Sequence, residues 1–378
     1  MPMQISVQSL SRWAVCLVAA ALFQACAGSE KVKPTSLEVN PSQIAVRQVW
    51  KASMGPSFSR LELRAVDNHI FAASEKGIVL DIHAETGVES WRANVASPLS
   101  AGVGSDGKYV AVVSQENYVV VLALGKELWR QKLNAVTITA PLVAGSRVFV
   151  MTANRTVYAF DALSGRKLWQ QQRPGDSLIL GQASILMAVG DTLVTGQSGR
   201  LIALNPLNGT VRWDAGVAVG RGVNEVERLV DLVTGVSRNA DNVCLRAFQT
   251  AVACVDAQAG RTLWSKPASG STGISGNTDT IFGTESDGKV VAWRRSDGER
   301  LWSVDRLRFR ELSTPLWMGQ SVAVGDFEGY IHLLSAKDGS LLSRIATDGS
   351  PIVGSPVLVG DTLVVVTQRG GIFGFRPE

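Results

Sequence analysis

This chain is poor in the residues from which most active sites are built. Its 378 residues include three histidines, His69, His83 and His332, four cysteines and four tyrosines. The histidines are expected in different blades, with no pair at metal-ligand spacing, so each reads as structural. There is no phosphate-binding Walker loop, no nucleophile elbow and no HExxH pair. The carboxylates do not alternate in the Asp-x-Asp style of an oxygen cage for calcium. Charged residues make up only 19%, and the net charge of +4 is spread without a basic run, which removes any case for nucleic-acid binding. The one long apolar run, Trp13–Phe23, spans 11 residues and is too short to cross a bilayer. No convincing amphipathic helix is found.

What the chain does have is a repeat. Gly-x-x-x-Trp recurs at Gly87–Trp91, Gly125–Trp129, Gly165–Trp169, Gly209–Trp213, Gly260–Trp264 and Gly298–Trp302. A further copy at Gly339 has Ser343 where the Trp would stand, and Trp50 opens the series without a copy before it. From Trp50 to Ser343 the steps are 41, 38, 40, 44, 51, 38 and 41 residues. Within one step, Arg147–Gln171 reads as strand, turn, strand, turn, strand, with an earlier strand near Pro141. Four short strands in about 40 residues are the content of one blade of a β-propeller, so the expected fold is all-β, with eight blades of four antiparallel strands. The last repeat, Pro356–Arg376, supplies only three strands, and Gln48–Lys51 is a lone strand carrying the missing Trp. Pairing it with Ile372–Arg376 closes the eighth blade from both termini and removes an open edge. The repeated Trp is expected to bury between neighbouring blades, its indole N–H on a backbone carbonyl.

The first residues read as an export signal. Arg12 precedes the apolar run, and small residues follow it. Two cleavage sites fit: small-x-small at Ala25-Cys26-Ala27, and Leu22–Cys26, which resembles the lipobox of bacterial lipoproteins and would make Cys26 the lipidated first residue. The expected division is a signal at 1–25, a lipidated Cys26 with a flexible tether over 26–45, and the propeller over 46–378. Both cleavages place the mature chain outside the cytoplasm, where disulfides form. Cys244 and Cys254 flank an expected hairpin, Val243–Ala247 and Ala251–Val255. A connection that sets them face to face would permit a disulfide; a strict two-residue turn would put them on opposite faces, and free buried thiols are the other reading.

Two stretches depart from the repeat by insertion, Gln171–Gly181 and Val219–Val233, the latter producing the 51-residue step. Loops at one end of a rigid propeller are natural partner surfaces. Leu178, Ile179 and Leu180 are apolar where a surface loop could be polar, although the same run could be the inner strand of a blade.

The segment Ala159–Trp169, with Asp161, Ser164 and Gly165, resembles the repeat of quinoprotein-type propellers, and Asp256–Trp264 is close to it. With a lipobox, a short tether and eight blades, the chain is similar to the BamB family, lipoproteins of the outer-membrane β-barrel assembly machine. The resemblance implies a non-enzymatic scaffold without cofactor. It would be lipid-anchored on the periplasmic face of the outer membrane, bind the periplasmic part of BamA and other subunits, and assist nascent outer-membrane proteins. Exposed outer strands would offer clients edges to pair with. Glu227–Asp231 resembles the family's acidic and Arg stretch that contacts BamA, so Arg228 and Asp231 join Leu178, Ile179 and Leu180 as the expected partner site. The family often has Arg in the first loop and a second Asp in the second; here Leu180 and Val233 stand there. Quinoprotein dehydrogenases, which share the repeat, use vicinal cysteines and a calcium cage. This chain has neither, which sets aside a quinone-dependent oxidoreductase as the rival reading. A small-ligand or sugar-binding propeller is the third.

Overall fold

The computed structural model describes residues 32–56, 62–174, 181–220 and 230–378. The chain divides into two units, Met1–Pro34 and Thr35–Glu378. Of the first, only Val32, Lys33 and Pro34 are described; they are exposed and form no strand. The second is all-β: its described residues form eight four-stranded antiparallel sheets and no helix. These are the eight blades of a propeller. In chain order, blades 1 to 7 span residues 64–94, 99–132, 142–172, 186–216, 232–267, 274–304 and 316–346. Blade 8 combines Ile352–Val359, Thr362–Thr367 and Gly371–Pro377 with the N-terminal strand Val46–Ser53.

The chain ends meet as the sequence predicts. Val46–Ser53 runs antiparallel to Gly371–Pro377, from Val46 opposite Pro377 to Ser53 opposite Gly371, with one irregularity between Gln48 and Trp50. The Glu378 N–H donates to the Ala45 carbonyl and the Met54 N–H to the Gly370 carbonyl, so both ends of this closing pair are held.

In each blade the two middle strands lie between neighbouring blades, so both their faces are covered. They therefore read as unbroken apolar runs, such as Val148–Met151 and Val110–Val113. Outer strands have one covered face and alternate: along Lys126–Lys132 only Trp129 is buried. The buried residues fall into eight clusters, each joining two adjacent blades. Eight seams and eight clusters mean that the core is a closed annulus, with no blade holding a private core.

The repeat motif explains each seam. In Asp161–Gly165 the Asp161 carboxylate accepts bonds from the Ser164 N–H and hydroxyl, and the Gly165 N–H donates to the Asp161 carbonyl. Asp256 caps the corresponding turn through the N–H groups of Gln258 and Ala259. Asn205, where the motif has changed, accepts from Leu207 N–H in the same way. Gly165 has φ of +71°, and a Cβ there would lie 2.5 Å from Cδ2 of Trp129 in the preceding blade. Glycine is therefore required twice, for its backbone and for the indole laid over it. The same contact joins Trp50 to Gly87, Trp91 to Gly125, Trp169 to Gly209, Trp213 to Gly260, Trp264 to Gly298 and Trp302 to Gly339. The indole N–H groups of Trp50, Trp129, Trp169, Trp264 and Trp302 donate to carbonyls of the next blade at 2.7–3.1 Å.

Blade 7 has Ser343 in place of Trp because the turn that would receive the indole is where the chain begins and ends. There the apolar residues Ile44 and Val46 pack against the cluster between blades 7 and 8 instead. Residues 35–45, part of the stretch expected to be a tether, lie against the ring. Leu37 packs on the cluster between blades 6 and 7, and the Gln43 N–H donates to the Leu342 carbonyl at 2.8 Å.

Candidate functional site

Antiparallel order gives the ring two unlike faces. On one, the outer strand of each blade connects to the inner strand of the next, and the second strand turns into the third. On the other lie the remaining tight turns, including those of the Gly-Trp motif. The first, the loop face, carries both inserted segments.

Leu178, Ile179, Leu180 and Arg228 lie outside the described residues. The stems of their loops are described and meet. Thr234 N–H, at the end of the second insertion, donates to Ala183 C=O, at the end of the first, at 3.0 Å. Asp231 opens blade 5, and its carbonyl accepts the Phe248 N–H at 2.9 Å. Asp231, Gln182 and Ser198 line a small hollow of about 40 Å³ that Ile138 and Arg155 close from blade 3. Equivalent connections of consecutive blades are thus side by side. Sequence reasoning did not find the charged group at the foot of the first loop. Asp214 accepts from Arg173 at 2.7 Å through one oxygen and from Arg200 at 2.6 Å through the other. Arg173 lies near the start of the first insertion, but Arg200 and Asp214 are strand residues with no local signal.

The inner strands enclose a central channel, whose wider part is a cavity of about 490 Å³. Its wall mixes hydroxyls, among them Thr234, Thr272, Ser313 and Thr314, with apolar residues such as Leu312 and Ile352 and the carboxylates Glu62 and Glu311. Glu62, just ahead of blade 1, reaches across the ring to accept a long bond of 3.4 Å from the Thr234 hydroxyl of blade 5. It retains some water contact, but enclosure by the channel walls raises its pKa to about 7, which the Thr234 bond only partly offsets. No local pattern marks this residue.

Against the expectation of three different blades, His69 and His83 share blade 1: they are opposite each other in register, because they stand at the two ends of one hairpin, and their rings are 5.8 Å apart, edge-on. His69 Nδ1 pairs with Asp81 at 2.7 Å, while His83 contacts Asn68 and Thr86 at the surface. His332 is buried in blade 7 with Nε2 at 2.9 Å from Asp326. Burial pushes the His332 pKa down, against the pull of Asp326. Asp326 also accepts from Arg310 Nε at 2.8 Å and from the N–H groups of Glu328 and Tyr330; these bonds hold it below the ordinary carboxylate range despite burial. Each is a blade-internal brace. Among the described residues no three His, Cys, Asp or Glu side chains gather as a metal site.

Cys244 and Cys254 are directly opposite in register, with Cα atoms 4.0 Å apart, and their sulfurs are bonded. The connection between their strands is Phe248–Thr250, three residues rather than two, which puts the side chains on one face. Next door, fully buried Arg246 pairs with Glu285 at 3.1 Å, and Gly270 and Gly283 leave room for its guanidinium. Removing either partner would leave the other charge buried and uncompensated, which is strongly destabilising.

Fold and surface together define a class: a closed eight-bladed propeller of quinoprotein-type repeats whose sequence departures are concentrated in connections on one face. The chain belongs to the family of the outer membrane protein assembly factor BamB, whose family model matches residues 47–304. It is 37% identical over 372 residues to the outer membrane protein assembly factor BamB of Burkholderia pseudomallei, covering 96% of this chain and 97% of that one. Among solved structures, that of BamB from Moraxella catarrhalis superposes with a TM-score of 0.78 at 24% identity, over 88% of this chain and 99% of that one. The quinohemoprotein alcohol dehydrogenase of Comamonas testosteroni shares the fold at a TM-score of 0.66 and 14% identity, over 90% of this chain and 78% of that one.

Proposed function

We propose that this chain is an outer membrane protein assembly factor. It acts as a non-enzymatic propeller, lipid-anchored through Cys26 to the periplasmic face of the outer membrane, that binds BamA and aids the folding and insertion of nascent β-barrel proteins. The whole-length match to curated assembly factors, 37% identical over 96% of the chain, is the observation that carries this reading. The geometry supports a scaffold. Eight seam clusters make a rigid annulus, and the joined loop stems at Ala183 and Thr234 give a partner a fixed platform. The partner site is formed by Leu178, Ile179, Leu180, Arg228 and Asp231. An apolar patch beside charged groups is a common hot-spot composition, and losing such contacts typically costs about 1–4 kcal/mol.

The test is a pull-down of BamA from detergent-solubilised envelope with the double variant Ile179→Glu, Asp231→Lys. Loss of BamA at an unchanged melting temperature is the expected result. A folded variant that still retains BamA would remove the site assignment, and an unfolded one would place Ile179 in a blade core.

A further inference from the structure

Residues 35–45 are held to the ring by contacts that local sequence does not announce. The Asn40 side-chain amide pairs with both backbone groups of Arg344, accepting from its N–H at 2.9 Å and donating to its carbonyl at 3.0 Å. With Gln43 N–H on Leu342 C=O, the segment covers the outer edge of Leu341–Ala346 much as a further strand would. Arg344 Nη1 donates to the Glu38 carbonyl at 2.9 Å, and Arg306 pairs with the Glu38 carboxylate at 2.9 Å. At the far end, the Thr35 N–H donates to Arg308 C=O at 3.0 Å, and the Thr35 carbonyl accepts from Arg310 Nη1 at 3.2 Å. Arg310 is itself fixed by Asp326 and Glu328.

The direction of this segment decides what it does. Gln43 lies beside Leu342, near the turn face, and Thr35 lies on the connection between blades 6 and 7, which belongs to the loop face. The chain therefore crosses the full depth of the ring between Thr35 and Gln43. We propose that residues 35–45 are a docked strap that fixes where the anchored N-terminal chain leaves the ring, at the rim of blade 7 on the loop face, and so turns that face toward the lipid surface. The proposal rests on the lipid-anchor reading. With 35–45 docked, only the eight residues 27–34 separate Cys26 from the strap, a stretch that can span at most about 28 Å, against about 65 Å for the 19 residues 27–45. A strand of six residues spans ~20 Å, so the turn face would stand about one such depth further from the membrane. The arginines of the 305–315 connection do not form a free basic patch, because Arg306, Arg308 and Arg310 face Glu38, Asp287 and Asp326. The leash rather than surface charge sets the orientation, which should therefore be indifferent to anionic lipid.

The test compares probe-to-membrane distances in two single-cysteine variants, with the natural disulfide intact: Asp305→Cys on the loop face and Lys337→Cys on the turn face. Lipidated protein is placed in phosphatidylethanolamine vesicles with and without phosphatidylglycerol. A parallel sample carries a histidine tag in place of the lipid, on nickel-chelating vesicles. The Asp305 probe should lie closer than the Lys337 probe by ~20 Å in both lipid mixtures. Combining Leu37→Asp, Glu38→Lys and Asn40→Ala should abolish that difference while the ring's melting transition stays cooperative, since these residues lie outside the blades. Equal distances in the tagged sample, or a difference that survives release of the strap, would overturn the proposal. Rapid hydrogen exchange at the Gln43 amide in the unmodified sequence would also overturn it. Failure of the lipidated sample alone to float with vesicles counts against the lipid reading only, because the tagged sample still reports on the strap.

Discussion

Trp129 and Gly165 show how one interaction, repeated, becomes a fold. Trp129 is nearly buried, its N–H is satisfied by Ala162 at 2.9 Å, and its ring lies over Gly165. Trp129→Ala should cost about 3–5 kcal/mol, the range for a large aromatic removed from a core. Gly165→Ala should cost ~2–4 kcal/mol, since it forces a Cβ into the indole and strains a left-handed backbone. In the Trp129→Ala background the indole is gone, so Gly165→Ala should cost only ~1 kcal/mol, the backbone part. A denaturant double-mutant cycle measures the difference, and additive costs would show that the contact is incidental. Glu62 belongs to the same scale with the opposite sign. Its pKa is raised to about 7 in the folded ring, so the folded state holds the proton more tightly than the unfolded chain does. Stability from this group is present below the ordinary carboxylate pKa and is lost as pH rises toward 7. Glu62→Gln should therefore be near neutral at pH 4.5 and stabilising at pH 8, by about 1 kcal/mol after allowing for water in the channel. Denaturant curves at the two pH values decide it.

Among elements, the closing strand matters most. Removing 46–53 leaves Gly371–Pro377 unpaired and takes Trp50 from its seam, so it should lower the melting temperature far more than any other N-terminal deletion. Removing 27–34 should leave the melting temperature unchanged, and removing 27–45 should fall between, because Leu37 and Ile44 cover apolar surface. Equal melting temperatures for the 27–34 and 46–53 deletions would contradict the closure. These elements differ in how legible they were. The blades, the split eighth blade and the interblade Trp were readable because each rests on a short pattern copied many times. The strap was not readable, because residues 35–45 are polar and Pro-containing, as a linker is, while the groups that hold them, Arg306, Arg310 and Arg344, lie hundreds of positions away. The role of glycine as seat for the preceding indole was hidden for a similar reason: spacing within a motif says nothing of which blade its glycine meets. Glu62 carries no pattern at all. The proposed partner residues Leu178, Ile179, Leu180 and Arg228 were singled out by insertion and by family likeness, and they lie outside the described residues.

For the molecule as a whole, the proposed lipid anchor can be tested apart from the proposed partner site. Cys26→Ser should release the protein into the soluble periplasmic fraction, and intact-mass analysis of the membrane form should show the added acyl groups. A mature chain beginning after Ala27 would defeat lipidation while leaving the ring intact. One lipidated cysteine can carry several acyl chains, as lasting rather than transient attachment requires.

Each indole of the repeated motif reaches into the blade that follows and never into the one before, so the annulus has a sense of travel, like shingles laid one way around a tower. A circle laid in that manner can be cut at any turn, and wherever it is cut, the blade behind loses the seat for its indole. Ser343 is therefore the mark left by the position of the chain ends. If the ends were moved by circular permutation into the turn at Asp161–Gly165, Trp129 should become dispensable. A glycine-containing turn built between Glu378 and Val46 should make Ser343→Trp favourable. In any ring of this kind, the repeat without its aromatic tells where the chain starts.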